Sequence, residues 1–386
     1  MIYDPGSEFA VTNARVVTRD GVVEGGSLLA RDGVIAAVEP GAAAAAGAVD
    51  FGGDYLMPGL VELHTDNLEK HFAPRPGVRW PGNLAVIGHD AQVAAAGITT
   101  VMDAISVGDV RDGSVRMEIL RDMIAAIEKA QKAGMLRAEH LLHLRCEISF
   151  ATIMELVEPM TELSWLKLIS VMDHTPGQRQ FVKQEKYRQY YQGKYGLSDE
   201  AMDKFMADQI AAAQANGGRN RRAIVALCRA KGLPLASHDD ATAEHVAEAA
   251  ADGMVVAEFP TTHEAAELSR KHGLKVMMGG PNVVRGGSHS GNISARSLAE
   301  KGQLDIISSD YVPSSLLQSV FLLPDQVPGV SLPQAVAMVS ANPAEAVGLT
   351  DRGALEPGRR ADMIRVSLID KTPVVRSVWR AGQRVM

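Results

Sequence analysis

The chain has 386 residues, of which 46% are hydrophobic and 22% charged, and carries a net charge of −7. This is globular composition with ample length for a large core, and its acidic balance argues against nonspecific nucleic-acid binding, which needs a basic surface. No uncharged apolar run approaches the roughly 18 residues of a membrane span, so no membrane association is expected. The first residues, MIYDPGSEF, lack a basic segment followed by an apolar one, so no secretory signal is expected. Two cysteines, Cys146 and Cys228, cannot build a disulfide framework, and a reducing cytoplasm is the expected compartment.

Residues 9–39 read as short strands broken by turns: FAVTNARVVT, the Asp20–Gly21 pair, GGSLLA, then RDG and VIAAVE. Alternating apolar residues separated by Asp-Gly signal hairpins. The last stretch, GALEPGRRADMIRVSLIDKTPVVRSVWRAGQRVM, repeats the style. Residues 1–57 and 349–386 are therefore expected to form one small β-sandwich domain. Between them, apolar runs alternate with helical segments. The strand candidates are GLVELH (59–64), ITTVMDA (98–104), HLLHLRCEI (140–148), WLKLISVMDH (165–174), LPLASHD (233–239), GMVVAEFP (253–260), LKVMMGG (274–280) and LDIISSD (304–310). They are apolar throughout, as parallel strands covered on both faces should be. Eight such units over residues 58–348 predict an α/β fold, a (β/α)8 TIM-type barrel. The competing open doubly wound sheet would want a GxGxxG after its first strand, and none is there. A polar helical stretch at about 178–222 reads either as a lid or subunit contact, or as a solvated helical hairpin.

Metal-type side chains fall at the C-terminal ends of the predicted strands, where barrels keep their active sites. His64 ends the first strand, with Asp66 two residues on and so on the same side. Glu147 ends the third, His174 the fourth, His238 the fifth and Asp310 the eighth. Three imidazoles and three carboxylates suit a pair of divalent cations, with one carboxylate bridging. His71, His89, His140, His143, His245, His263 and His272 lie off this pattern and are expected to be hydrogen-bonded side chains. Cys146 alternates away from Glu147 and should pack outside the barrel, and Cys228 should pack in a helix.

The strand pairs at both ends, MPGLVELHTD after the first and EPGRRADM near the last, resemble the amidohydrolase superfamily of metal-dependent barrels. HTDNLEKHFAPRPGVRW, AAAGITTVMDAISVGD, HLRCEI, VMDHTPGQRQF, ASHDDAT, AEFPTT, GGPNVVRGGSHSGN and SSDYVPSSLL are similar to its phosphonate-metabolism branch, over nearly the whole chain. That resemblance implies hydrolysis of a ribose 1-methylphosphonate 5-triphosphate into a 5-phosphate and pyrophosphate. It implies a divalent metal cofactor, a pair of ions, with zinc expected first and manganese or iron as alternatives. The partner is then a small phosphorylated sugar, and a homo-oligomer is expected. The superfamily's common His-x-His is His64-x-Asp66 here, and Glu147 stands where a carboxylated lysine is frequent. A carboxylate in each place still serves a hard or borderline cation.

In that chemistry Asp310 is placed to orient a water and accept its proton. The glycine-rich run 279–292, after the seventh strand, offers Arg285, Ser288 and His289 to the polyphosphate. Lys70 and Arg75, with Arg79, form a second basic loop after the first strand. Arg179 either meets substrate or anchors the inserted helices. A cyclic amidohydrolase would share barrel and metals but not the arginine-rich loops, and a non-catalytic assembly subunit would lose metal ligands.

Overall fold

The computed structural model describes residues 8–41, 47–110, 114–181, 184–288 and 291–386. Two hydrogen-bonded sheets of eight strands organise it. One is the barrel sheet, whose strands follow one another in chain order: Leu60–Thr65, Ile98–Val107, Glu139–Glu147, Leu166–Met172, Leu235–His238, Val256–Glu258, Lys275–Gly279 and Ile306–Ser308. All eight expected strands are present. The first two are buried at every residue, the signature of parallel strands covered on both faces. A parallel bridge between Thr65 and Asp310 links the end of the first strand to the end of the last.

The other sheet draws on both chain ends. Its order is Gln383–Arg384, Thr372–Arg380, Met363–Ile369, Tyr55–Pro58, Glu8–Val17, Val22–Arg31 and Val34–Glu39, with Val49–Asp50 paired to Glu8–Val17. The strands expected from the two ends thus join in one continuous mixed sheet. Tyr55–Pro58 joins the ends, pairing parallel to Glu8–Val17 and antiparallel to Met363–Ile369. Val11, Val16, Leu28, Ile35, Phe51, Leu56, Met363 and Trp379 form its core.

By compactness the chain divides into Met1–Asp103 with Asp122–Leu141 and Met278–Met386, and a second unit of Ala104–Arg121 with Leu142–Met277. This division crosses the barrel sheet.

In the second unit, helices after the fifth and sixth strands start at equivalent threonines. Thr242 accepts the His245 N–H and Thr262 that of Ala265, which satisfies amide groups that a helix start leaves without partners. The inserted stretch is helical over Gln184–Tyr195 and Asp199–Lys231, the latter running past the expected end. It is not a purely solvated hairpin. Tyr187 and Tyr191, one turn apart, bury the same face of the first helix against Phe181, Val110, Met202 and Met206. Tyr187 is fully buried, with its ring 4.4 Å from that of Tyr191.

Candidate metal centre

In the second unit, four strand ends bring imidazoles and carboxylates together. His174 lies two residues beyond the fourth strand, and its Nδ1 is 2.7 Å from Glu147 Oε2 at the end of the third. His238, ending the fifth strand, places Nδ1 3.0 Å from Glu258 Oε2, at the end of the sixth. The other ring nitrogens converge on one carboxylate: Asp239 Oδ2 is 3.4 Å from His238 Nε2 and 3.9 Å from His174 Nε2. A carboxylate behind each imidazole fixes the ring and leaves its far nitrogen to a cation. His174, His238 and Asp239 therefore fit a divalent cation by donor type and by spacing. Glu147, expected among the ligands, sits behind His174 as its hydrogen-bond partner, also accepting from the Ser149 hydroxyl at 2.9 Å. Burial lowers the His174 pKa, but the Glu147 hydrogen bond and charge, with Asp239, outweigh it and hold it above the ordinary histidine value.

In the first unit, His64 and Asp66 flank the Thr65–Asp310 bridge. Asp310 N–H donates to the His64 carbonyl at 3.0 Å, and Asp66 N–H donates to the Asp310 carbonyl at 3.1 Å. The three expected ligand residues of the first and eighth strand ends are thus tied by one backbone ladder. Glu62, one alternation before His64, is fully buried and accepts the N–H groups of His64 and Ser309. Burial pushes its carboxyl up to about 8. Asp239 and Asp310 both adopt left-handed backbone conformations, at φ +56° and +54°, which cost non-glycine residues about 1 kcal/mol or more.

The expected anion-binding side chains fare differently. Residues Gly280–Arg285 are a short helix and not a glycine-rich loop, with Pro281 in its first turn and Gly286 ending it at φ +78°. Gly280 is required by packing, since a Cβ there would lie 2.5 Å from Ser315 Oγ. Arg285 is exposed at the helix end and Ser288 is half-buried beyond it, whereas His289 lies outside the described residues. Lys70 donates to the Tyr311 carbonyl at 2.6 Å, beside Asp310, and Arg75 is exposed. Arg179 is buried against Asp240 and Glu248. Sequence reasoning missed Asp239, Glu258 and Glu62, although HDDAT and AEFP contain the first two.

A second His/Asp group, His89, Asp103 and His140, has another character. Asp103 lies 2.8 Å from His89 Nε2 and 2.7 Å from His140 Nδ1, distances of proton-filled hydrogen bonds. Burial lowers the His140 pKa, but Asp103 and Asp90 outweigh it and hold it up at about 9.

The amidohydrolase family model matches residues 55–385. The chain belongs to the amidohydrolase family. This amidohydrolase is 52% identical over 376 residues to the alpha-D-ribose 1-methylphosphonate 5-triphosphate diphosphatase of Escherichia coli (strain K12), covering 97% of this chain and 99% of that protein. It is 26% identical over 393 residues to an imidazolonepropionase of Deinococcus deserti, covering 93% and 92%. Among solved structures, the N-acetyl-D-glucosamine-6-phosphate deacetylase of Mycobacterium smegmatis superposes with a TM-score of 0.64 at 18% identity, over 98% of this chain and all of that one. That likeness concerns the fold. Among the described residues no helix is long and apolar enough to cross a membrane.

Proposed function

We propose that this amidohydrolase cleaves alpha-D-ribose 1-methylphosphonate 5-triphosphate into the 5-phosphate and pyrophosphate, as a step of phosphonate catabolism by the carbon–phosphorus lyase route. The observation that carries this is the 52% identity to the Escherichia coli diphosphatase over 97% of the chain. The metal reading rests on His174, His238 and Asp239 with Glu147 and Glu258 behind them, and on the sequence-expected ligands His64, Asp66 and Asp310. Two divalent ions, zinc first, suit imidazole–carboxylate sets of this kind. When bound, they would lower the pKa of a coordinated water to about 7 and take up phosphoryl charge.

The chain's own groups supply the rest. Glu147 and Glu258 hold their imidazoles in one tautomer by accepting the Nδ1 protons. Asp310 orients the attacking water and accepts its proton. Arg285, Ser288 and His289, with Lys70 and Arg75, offer donors to the polyphosphate, as an acidic chain must do locally for an anionic substrate. Two buried free thiols, Cys146 and Cys228, fit a reducing cytoplasm.

The phosphorus products of the substrate, followed by phosphorus NMR, test the reaction. Pyrophosphate is expected in equal amount to the 5-phosphate, and orthophosphate as the first product would sink the proposal. Arg285→Ala should lower kcat/KM for the triphosphate by about one to two decades, the worth of a charge-assisted bond, with metal content unchanged. An equal loss on a small neutral ester would show that Arg285 only supports its helix.

A further inference from the structure

The first unit contains one continuous chain of buried polar contacts away from the metal-type donors, and it begins at the residue after Asp66. The Asn67 amide donates to Gln92 Oε1 at 2.9 Å and lies 3.0 Å from His89 Nδ1. His89 Nε2 donates to Asp103 Oδ1 at 2.8 Å, and His140 Nδ1 donates to the other Asp103 oxygen at 2.7 Å. On its far side His140 Nε2 faces Asp90 Oδ1 at 3.4 Å. Asp90 accepts the N–H groups of Arg137 and Ala138 at 2.8 and 2.9 Å and the Arg137 guanidinium at 3.0 Å. Asn67, His89, Asp90, Asp103 and His140 are all at most 3% exposed.

The protons can be assigned from this pattern. An ionised Asp103 only accepts, so both facing nitrogens carry hydrogens. The Asn67 amide donates, so His89 Nδ1 is the acceptor of that pair. His140 faces a carboxylate on each side, which suits the imidazolium. The group therefore does not resemble an open cation site: the two Asp103 oxygens lie 2.8 and 2.7 Å from imidazole nitrogens, hydrogen-bond distances, unlike the 3.4 and 3.9 Å spacings around Asp239.

Burying two carboxylates and an imidazolium is a poor route to stability, because desolvation offsets most of the attraction. What the network does achieve is placement. Asn67 N–H also donates to Thr65 Oγ1 at 3.3 Å, and Thr65 Oγ1 donates to the Asp310 carbonyl at 2.9 Å. Asp66 is thereby flanked by one residue tied to the eighth strand and one tied to the buried network.

We infer that Asn67, His89, Asp103, His140 and Asp90 are positioning residues that fix the peptide carrying Asp66, so that its carboxylate is presented to a divalent cation. None of them touches the reacting atoms. The inference rests on Asp66 being a metal ligand.

The test is competition for bound zinc between the purified holoenzyme and a chromophoric chelator, with cobalt-substituted protein providing the ligand-field spectrum. Asn67→Ala should weaken metal affinity by about 10–100-fold, the range for partners that orient a ligand, and should shift the cobalt spectrum while circular dichroism stays native. His89→Leu removes both the donor to Asp103 and the acceptor facing Asn67, and should do the same. Wild-type affinity and spectrum in both variants would overturn the inference. So would loss of native structure in both, which would make the network purely structural. Asp66→Ala separates the two readings: should it bind zinc like the wild type, the ligand assignment itself fails, whatever the network variants do.

Discussion

His174→Ala and His238→Ala should each lose bound metal and lower kcat/KM by more than about 100-fold, because removing a direct ligand costs more than removing its orienting partner. Each histidine sends one nitrogen to a buried carboxylate and the other toward Asp239, so alanine leaves two donors where a cation needs three or four. Elemental analysis beside a rate assay checks this. Full metal content with full rate in both variants would remove the centre described above. Glu147→Gln gives the graded comparison. Its amide still reaches His174, but can face Nδ1 with a donor and unsettle the tautomer, so the loss should be smaller than in His174→Ala.

Asp310→Asn should lower kcat by roughly 10²–10⁴-fold with a small change in KM, the span usually attributed to a general base. The side chains are nearly the same size, and the backbone bonds joining Asp310 to His64, Asp66 and Thr65 do not depend on the carboxylate. A folded variant with nearly normal kcat and a raised KM would make Asp310 a binding residue and remove the proton-transfer step assigned to it.

The barrel was legible because its strands are apolar runs of the right length between helical segments, and burial on both faces demands that pattern. His64, His174 and His238 were legible as polar residues at the ends of such runs. Asp239 was not, and the reason is local. Alternation along a strand turns the residue after His238 to the opposite face, but φ of +56° at Asp239 breaks the alternation and returns its carboxylate to the histidines. Arg179 shows a different limit. Its charge is visible in HTPGQRQ, but its partners Asp240 and Glu248 are 61 and 69 residues away, so local sequence cannot separate an anchor from a substrate-binding group. The run GGPNVVRGG misleads as a loop because its glycines lie outside or at the edges of the helical turn that Pro281 starts. In KQEKYRQYYQGKYG, polar composition masks a tyrosine stripe at helical spacing that builds a small core of its own.

The left-handed aspartates have an evolutionary consequence. Glycine adopts such backbone angles without penalty, so Gly at position 239 or 310 would relieve strain that the native side chains impose. A library selected for heat tolerance alone would therefore tend to enrich glycine at these two positions, yielding hardier proteins with idle barrels. Selection for turnover would purge the same variants. At these two positions durability and activity pull in opposite directions through the backbone angle.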